Sequence, residues 1–155
     1  MNPRPANPFR NLKVPMNTIT IPNGHVLDMG RRLSYVKSTN GLTSVKLHKI
    51  RKALADEGAA ILAAFEEIDK LHALLDDTGA PRVQEEGLAR LTWSGTGTPA
   101  YMVDPDKAEA RTAALAELDA GVASIVAPQL TEADLASITI ADDAGPALDA
   151  FAAPL

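Results

Sequence analysis

The chain has 155 residues, 46% of them hydrophobic and only 4% aromatic, which bounds it to about one domain with an aliphatic core. It has no cysteine, which excludes a disulfide scaffold, a zinc ribbon and thiol catalysis, and no apolar run approaches the ~20 residues that span a bilayer. The net charge of −5 conceals an opposition, because residues 1–54 carry ten Lys/Arg against one acid and residues 55–155 carry five against nineteen. Such polarity predicts head-to-tail self-association or an acidic partner for the first third, unless the halves neutralise each other on folding.

Residues 1–17 contain Pro3, Pro5, Pro8 and Pro15. Each proline fixes φ and removes a backbone donor, so an extended arm is expected there, not a helix or central strand. Arg4, Arg10 and Lys13 make the arm basic, and Phe9, Leu12, Val14 and Met16 give it apolar anchors. No apolar segment follows these bases, so a secretory signal is not expected. Thr18-Ile19-Thr20-Ile21 alternates like a half-buried strand and is closed by Pro22-Asn23-Gly24. Val26, Met29, Leu33 and Val36 then recur at helical spacing, and Ser38 to Gly41 reads as a turn.

A long helix is expected from Thr43 to Leu75, capped by Thr43 or Ser44 and stopped by Gly79 and Pro81. Leu47, Ile50, Leu54, Ile61, Ala64, Ile68, Leu71 and Leu75 follow a near-heptad rhythm. A helix of ~45–50 Å calls for a partner helix, from this chain or another copy. Lys46, Lys49, Arg51 and Lys52 sit at its start and Glu66, Glu67, Asp69, Asp76 and Asp77 at its end. That order opposes the helix macrodipole, so the charges serve something other than helix stability.

Residues 88–103 predict a β-hairpin, with Leu91 and Trp93 leading into Gly95-Thr96-Gly97 and Tyr101 and Val103 leading out. Asp104-Pro105 predicts the start of a second long helix, whose stripe is Leu115, Leu118, Val122 and Ile125 and which ends at Pro128. Thr131 with Asp134 has the spacing of a capping box. Ser137-Ile138-Thr139-Ile140 is a second β-branched run, and its pairing with residues 18–21 would tie the chain's ends together. The tail predicts one short helix through Leu148 and Phe151. The expected fold is α+β and mostly helical, with two long antiparallel helices, a β-hairpin and short flanking strands. The domain covers residues 18–151, between the basic arm and a tail at 152–155.

Chemistry-bearing patterns are scarce. His25, His48 and His72 are far apart, the last two by ~36 Å along one helix, and ligand histidines come with nearby partners. No nucleophile elbow or Walker loop occurs, and Pro99 follows Gly95-x-Gly97 where a dinucleotide loop would open a helix. The paired acids, such as Glu66-Glu67 and Glu85-Glu86, lack EF-hand spacing and read as a solvated face. No catalytic, cofactor-binding or metal-binding residue is therefore expected, and the chain reads as a binding or assembly protein, not an enzyme. Phe9, Arg10, Arg31, Arg32, Lys49 and Lys52 are the expected partner contacts, with other protein subunits or further copies of the chain as partners. Nucleic acid is the lesser alternative, because no helix-turn-helix, zinc finger or aromatic platform accompanies the bases. No membrane partner is expected.

Ile19-Thr20-Ile21-Pro22-Asn23-Gly24, Gly41-Leu42-Thr43-Ser44-Val45-Lys46-Leu47 with its lysine-rich continuation to Leu54, Tyr101-Met102-Val103-Asp104-Pro105 and the segment Leu130–Ile140 together resemble an uncharacterised family of small tailed-bacteriophage proteins. The resemblance covers about residues 18–151. It implies no enzyme activity, cofactor or site residue. It implies a phage-encoded accessory or virion protein. With the proline-rich arm, the over-long helix and the polarised charge, the leading expectation is a structural or assembly protein, a minor head, neck or tail component, in the virion or the host cytoplasm. A regulator or inhibitor that occupies a host protein is the alternative reading.

Overall fold

The computed structural model describes residues 14–91, 97–139 and 144–153. The first strand, β1 (Met16–Pro22), starts two residues ahead of the expected β-branched run. Ile21 is buried and Ile19 half-buried, while Thr18 and Thr20 face solvent, as a pleated strand with one inner face requires. Helix α1 (Asn23–Leu33) follows at once and buries Val26, Gly30 and Leu33. Asn23 anchors its start, its backbone NH donating to Gly121 O at 2.9 Å and its side-chain amide to Leu118 O at 2.9 Å.

After the short strand β2 (Lys37–Ser38) comes the central element, α2 (Gly41–Leu71), a helix of 31 residues. Asn40 is its cap, accepting from Thr43 NH at 3.1 Å, whereas the sequence pointed to Thr43 or Ser44. Thr43 is instead buried, its hydroxyl donating to Asp134 Oδ1 at 2.6 Å. The buried stripe of α2 runs through Leu47, Ile50, Leu54, Gly58, Ile61, Phe65 and Asp69. It departs from the near-heptad row after Ile61. A straight helix at 3.6 residues per turn drifts away from a 3.5-residue repeat, so Phe65 and Asp69 turn inward. Ile68, Leu71 and Leu75 are left outside the buried stripe, with Leu71 69% exposed.

Strands β3 (Val83–Leu91) and β4 (Gly97–Tyr101) form the expected hairpin. Its turn, with Trp93 and Gly95, lies outside the described residues. The pairing is irregular. Val83 lies opposite Tyr101 and Leu88 opposite Pro99, so Gln84 to Gly87 bulge against Ala100 alone. Gly87 takes φ +105, a backbone conformation that favours glycine. At the hairpin base three backbone segments close a ring. Leu74 NH donates to Met102 O at 2.8 Å, Met102 NH to Arg82 O at 2.9 Å, and Arg82 NH to Leu74 O at 2.8 Å.

Asp104 caps a single 3₁₀ turn, Pro105–Lys107, that leads into α3 (Ala108–Ala120). The expected second long helix stops there. Gly121 ends it, and Val122–Pro128 is strand β5, antiparallel to β1 with Met16 opposite Pro128 and Pro22 opposite Val122. Val122 and Ile125 fit a helical stripe, yet strand alternation buries Ala123, Ile125 and Ala127 together and supplies β1 with backbone partners. The fold therefore has one long helix, not two.

Helix α4 (Glu132–Ala136) begins with the Thr131–Asp134 capping box read from the sequence. Strand β6 (Ile138–Thr139) pairs with β2, so the second β-branched run does not reach β1. Helix α5 (Gly145–Asp149) leads to Phe151, which is fully buried. Leu130 NH donates to Phe151 O at 2.7 Å and Ala153 NH to Leu130 O at 2.8 Å, which fastens the tail to the core. The architecture is α+β, with three small antiparallel pairs (β1–β5, β2–β6 and β3–β4) arranged around α2.

Candidate interaction surface

The basic residues of the first third divide into two groups. Lys46 and Arg51 are absorbed by the fold. Lys46 Nζ lies 2.5 Å from Asp134 Oδ2. Arg51 Nε donates to Leu33 O at 2.9 Å, which also accepts from Val36 NH at 3.3 Å, and its Nη2 donates to Val36 O just beyond α1. Burial pushes the Arg51 pKa down from its ordinary value. Of the expected contact residues, Arg32 pairs with Asp28 at 2.8 Å and Lys52 with Asp56 at 3.3 Å, both one helical turn apart. Arg31 Nη2 donates to Leu91 O of the hairpin, and Lys49 is half-buried. Lys52, His48 and Arg51 line one cleft of about 390 Å³ with Gly30 and Ser34 between α1 and α2. The structure thus brings the end of α1 against α2 at Arg51, while Arg31 faces the hairpin. Phe9 and Arg10 lie outside the described residues.

Two buried carboxylates are prominent, and both hold elements together. Asp134 Oδ1 accepts from Thr43 Oγ1 at 2.6 Å, and its Oδ2 also accepts from Thr131 NH at 2.9 Å. Burial opposes its charge, but the hydrogen bonds from Lys46, Thr43 and Thr131 outweigh that and hold its pKa at about 2. Asp69, 4% exposed, accepts from Arg90 Nη1 at 2.7 Å and Arg111 Nε at 2.9 Å, joining α2 to the hairpin and to α3. The Arg90 guanidinium also stands 4.1 Å from the Phe65 ring centroid. These partners come from distant segments, so periodicity alone could not reveal them. Among the described residues, no group of three or more His, Cys, Asp or Glu is placed to hold a metal ion, and no helix is long and apolar enough to cross a membrane.

The far end of α2 is different in character. Around the backbone ring, Leu75, Val83 and Met102 are exposed, at 53%, 50% and 37%, and Leu71 ends the helix three residues before Leu74. Leu88 is exposed further along β3. Glu67, Asp77 and, on the hairpin bulge, Glu85 and Glu86 are exposed, as is Arg82, and Lys70 pairs with Glu66 and Glu67. Asp76 organises the turn between α2 and β3, accepting from Thr78 NH at 2.8 Å, Thr78 Oγ1 at 2.6 Å and Ala80 NH at 3.0 Å. The Thr78 and Ala80 hydrogen bonds hold its carboxyl below the ordinary range. The sequence showed these acids and assigned Leu71 and Leu75 to packing, and it did not single out Val83 or Leu88. No family model, curated protein or solved structure matches the chain.

Proposed function

We propose that the protein is a non-enzymatic structural or assembly protein of a tailed bacteriophage, a minor head, neck or tail component that works through contacts between subunits. The observation that carries this reading is the exposure of the large apolar side chains Leu71, Leu75, Val83 and Met102 where α2 gives way to the hairpin. Exposed large apolar side chains favour burial against a partner. The two buried carboxylates support the reading too, because their partners are spent on joining elements of this fold. The phage assignment rests on the motif resemblance. Homotypic contacts and contacts to other virion proteins would both cover such side chains.

The test is quantitative mass spectrometry of purified particles from the source phage or prophage. Detection at a fixed copy number is the expected result. Absence from particles, with the protein abundant in infected cells, overturns it in favour of a regulator that occupies a host protein.

A further inference from the structure

The cleft between α1 and α2 gathers cationic side chains around one space. On α2, His48, Arg51, Lys52 and Ala55 recur at helical spacing and share one face. Gly30 and Ser34 form the facing wall, and Gly30 brings no side chain into it. The cleft has a volume of about 390 Å³, within the range of small-ligand sites. Among the described residues that line it, three can carry positive charge and none is acidic. We propose that this cleft binds the phosphate group of a small phosphomonoester, such as a nucleoside monophosphate, with Arg51, Lys52 and His48 as its cationic wall. The proposal goes beyond the assembly function above and does not depend on it.

Arg51 carries a charge that the fold does not balance. Four arginines are half-buried among the described residues: Arg32, Arg51, Arg90 and Arg111. Arg32 meets Asp28, and Arg90 and Arg111 both meet Asp69. Arg51 meets only carbonyl oxygens among the described residues, those of Leu33 and Val36. Carbonyls at a helix end offset only part of a unit charge, and a guanidinium has five N–H groups to place. Burial pushes the Arg51 pKa down, as it does for a cation short of a counter-ion. The nearest acid on the same face is Asp56. It pairs with Lys52 at 3.3 Å, but both side chains are largely exposed, and such a pair contributes so little that an oxyanion in the cleft can replace it. A phosphomonoester suits three cationic groups better than a carboxylate does, because its charge is about −2 and its oxygens do not lie in one plane. A long polyanion suits the site less, since the chain as a whole carries a net charge of −5.

Amide NMR of the full chain tests this, with adenosine monophosphate as the probe at constant ionic strength. Saturating shifts are expected at Gly30, Ser34, His48, Arg51, Lys52 and Ala55. Inorganic phosphate is expected to shift the same amides, and adenosine and acetate are expected to leave them in place. Two variants carry the test further. Ser34→Glu puts a carboxylate into the cleft, and His48→Ala with Lys52→Ala removes two of its three cationic groups. Both leave Arg51 and its carbonyl contacts intact, so each is expected to melt like wild type and to bind the probe about tenfold more weakly or worse. The proposal is overturned by shifts that do not saturate, that spread to exposed bases such as Lys37 and Arg82, that acetate reproduces, or that survive both variants. It is also overturned, in favour of a nucleic-acid backbone, if a short oligothymidylate binds about tenfold more tightly than adenosine monophosphate and loses that advantage in high salt.

Discussion

Thr43 and Asp134 stand 91 residues apart in the chain, yet the Thr43 hydroxyl donates to Asp134 Oδ1 at 2.6 Å in a buried contact. One carboxylate thereby caps α4, receives Lys46 and fixes α4 against the first turn of α2.

That contact gives the protein an acid-sensitive joint. The folded pKa of Asp134, about 2, lies below its ordinary 3.8, so the ionised form favours the fold. The contribution is complete above pH ~4 and is lost as pH falls towards 2; its size is about 2 kcal/mol. Asp134→Asn is expected to cost about 2–4 kcal/mol at pH 7. Urea unfolding at pH 7 and at pH 2.5 checks this, because the gap between variant and wild type must narrow in acid. A gap independent of pH contradicts the assignment.

Arg51 is expected to behave as a helix terminator carried on another helix. Arg51→Ala leaves the carbonyls of Leu33 and Val36 without its guanidinium and is expected to cost about 2–3 kcal/mol in chemical denaturation. Arg51→Lys keeps the charge but cannot present two nitrogens in one plane, so it is expected to recover less than half of that loss. Full recovery by lysine would show that charge alone matters at this position.

Arg90 links the hairpin to the buried Asp69 and to the Phe65 ring. Arg90→Ala is expected to loosen β3 and β4 while α2 stays intact. Hydrogen exchange reads this directly: amides of residues 83–91 and 97–101 exchange faster, and those around Leu54 do not change. Asp69→Asn removes the charge that both Arg90 and Arg111 face and is expected to cost about 3 kcal/mol.

Gly121 is expected to resist a side chain. A Cβ at this position would lie 2.8 Å from Asn23 Nδ2, the atom that donates to Leu118 O. Gly121→Ala must displace that amide and is expected to cost about 1–2 kcal/mol by thermal or chemical unfolding. Gly121→Ala combined with Asn23→Ala should cost less than the two separate losses added together, because both remove one contact.

Local signals were legible where a residue acts on its neighbours. Pro22-Asn23-Gly24 marks the passage from β1 to α1, Asp104 caps its turn, and Thr131 with Asp134 forms the box. The failures arise where a distant segment decides. Val122 to Pro128 mixes the β-branched Val122, Ile125 and Val126 with two alanines and a serine, and its helical spacing is overruled by pairing with the distant β1. Likewise the apolar positions of α2 form two rows after Ile61, and only the packed fold selects Phe65 and Asp69 over Ile68 and Leu71. On the candidate surface the basic residues were visible as charges. Which of them are spent inside the fold, Lys46 and Arg51, depends on Asp134, Leu33 and Val36 and not on spacing.

The pairing of β1 with β5 also sets an order of events during synthesis. The chain emerges from its amino terminus, so Met16–Pro22 appears early and its partner Val122–Pro128 late. For most of that interval Ile19 and Ile21 have no strand beside them, and the inner faces of α1 and α2 lack Ala123, Ile125 and Ala127. The nascent chain therefore carries an unpaired strand edge and uncovered apolar helix faces until the last fifth of the sequence is made, the state in which chains aggregate or recruit chaperones. A truncation after Ala120 would hold the protein in that state permanently.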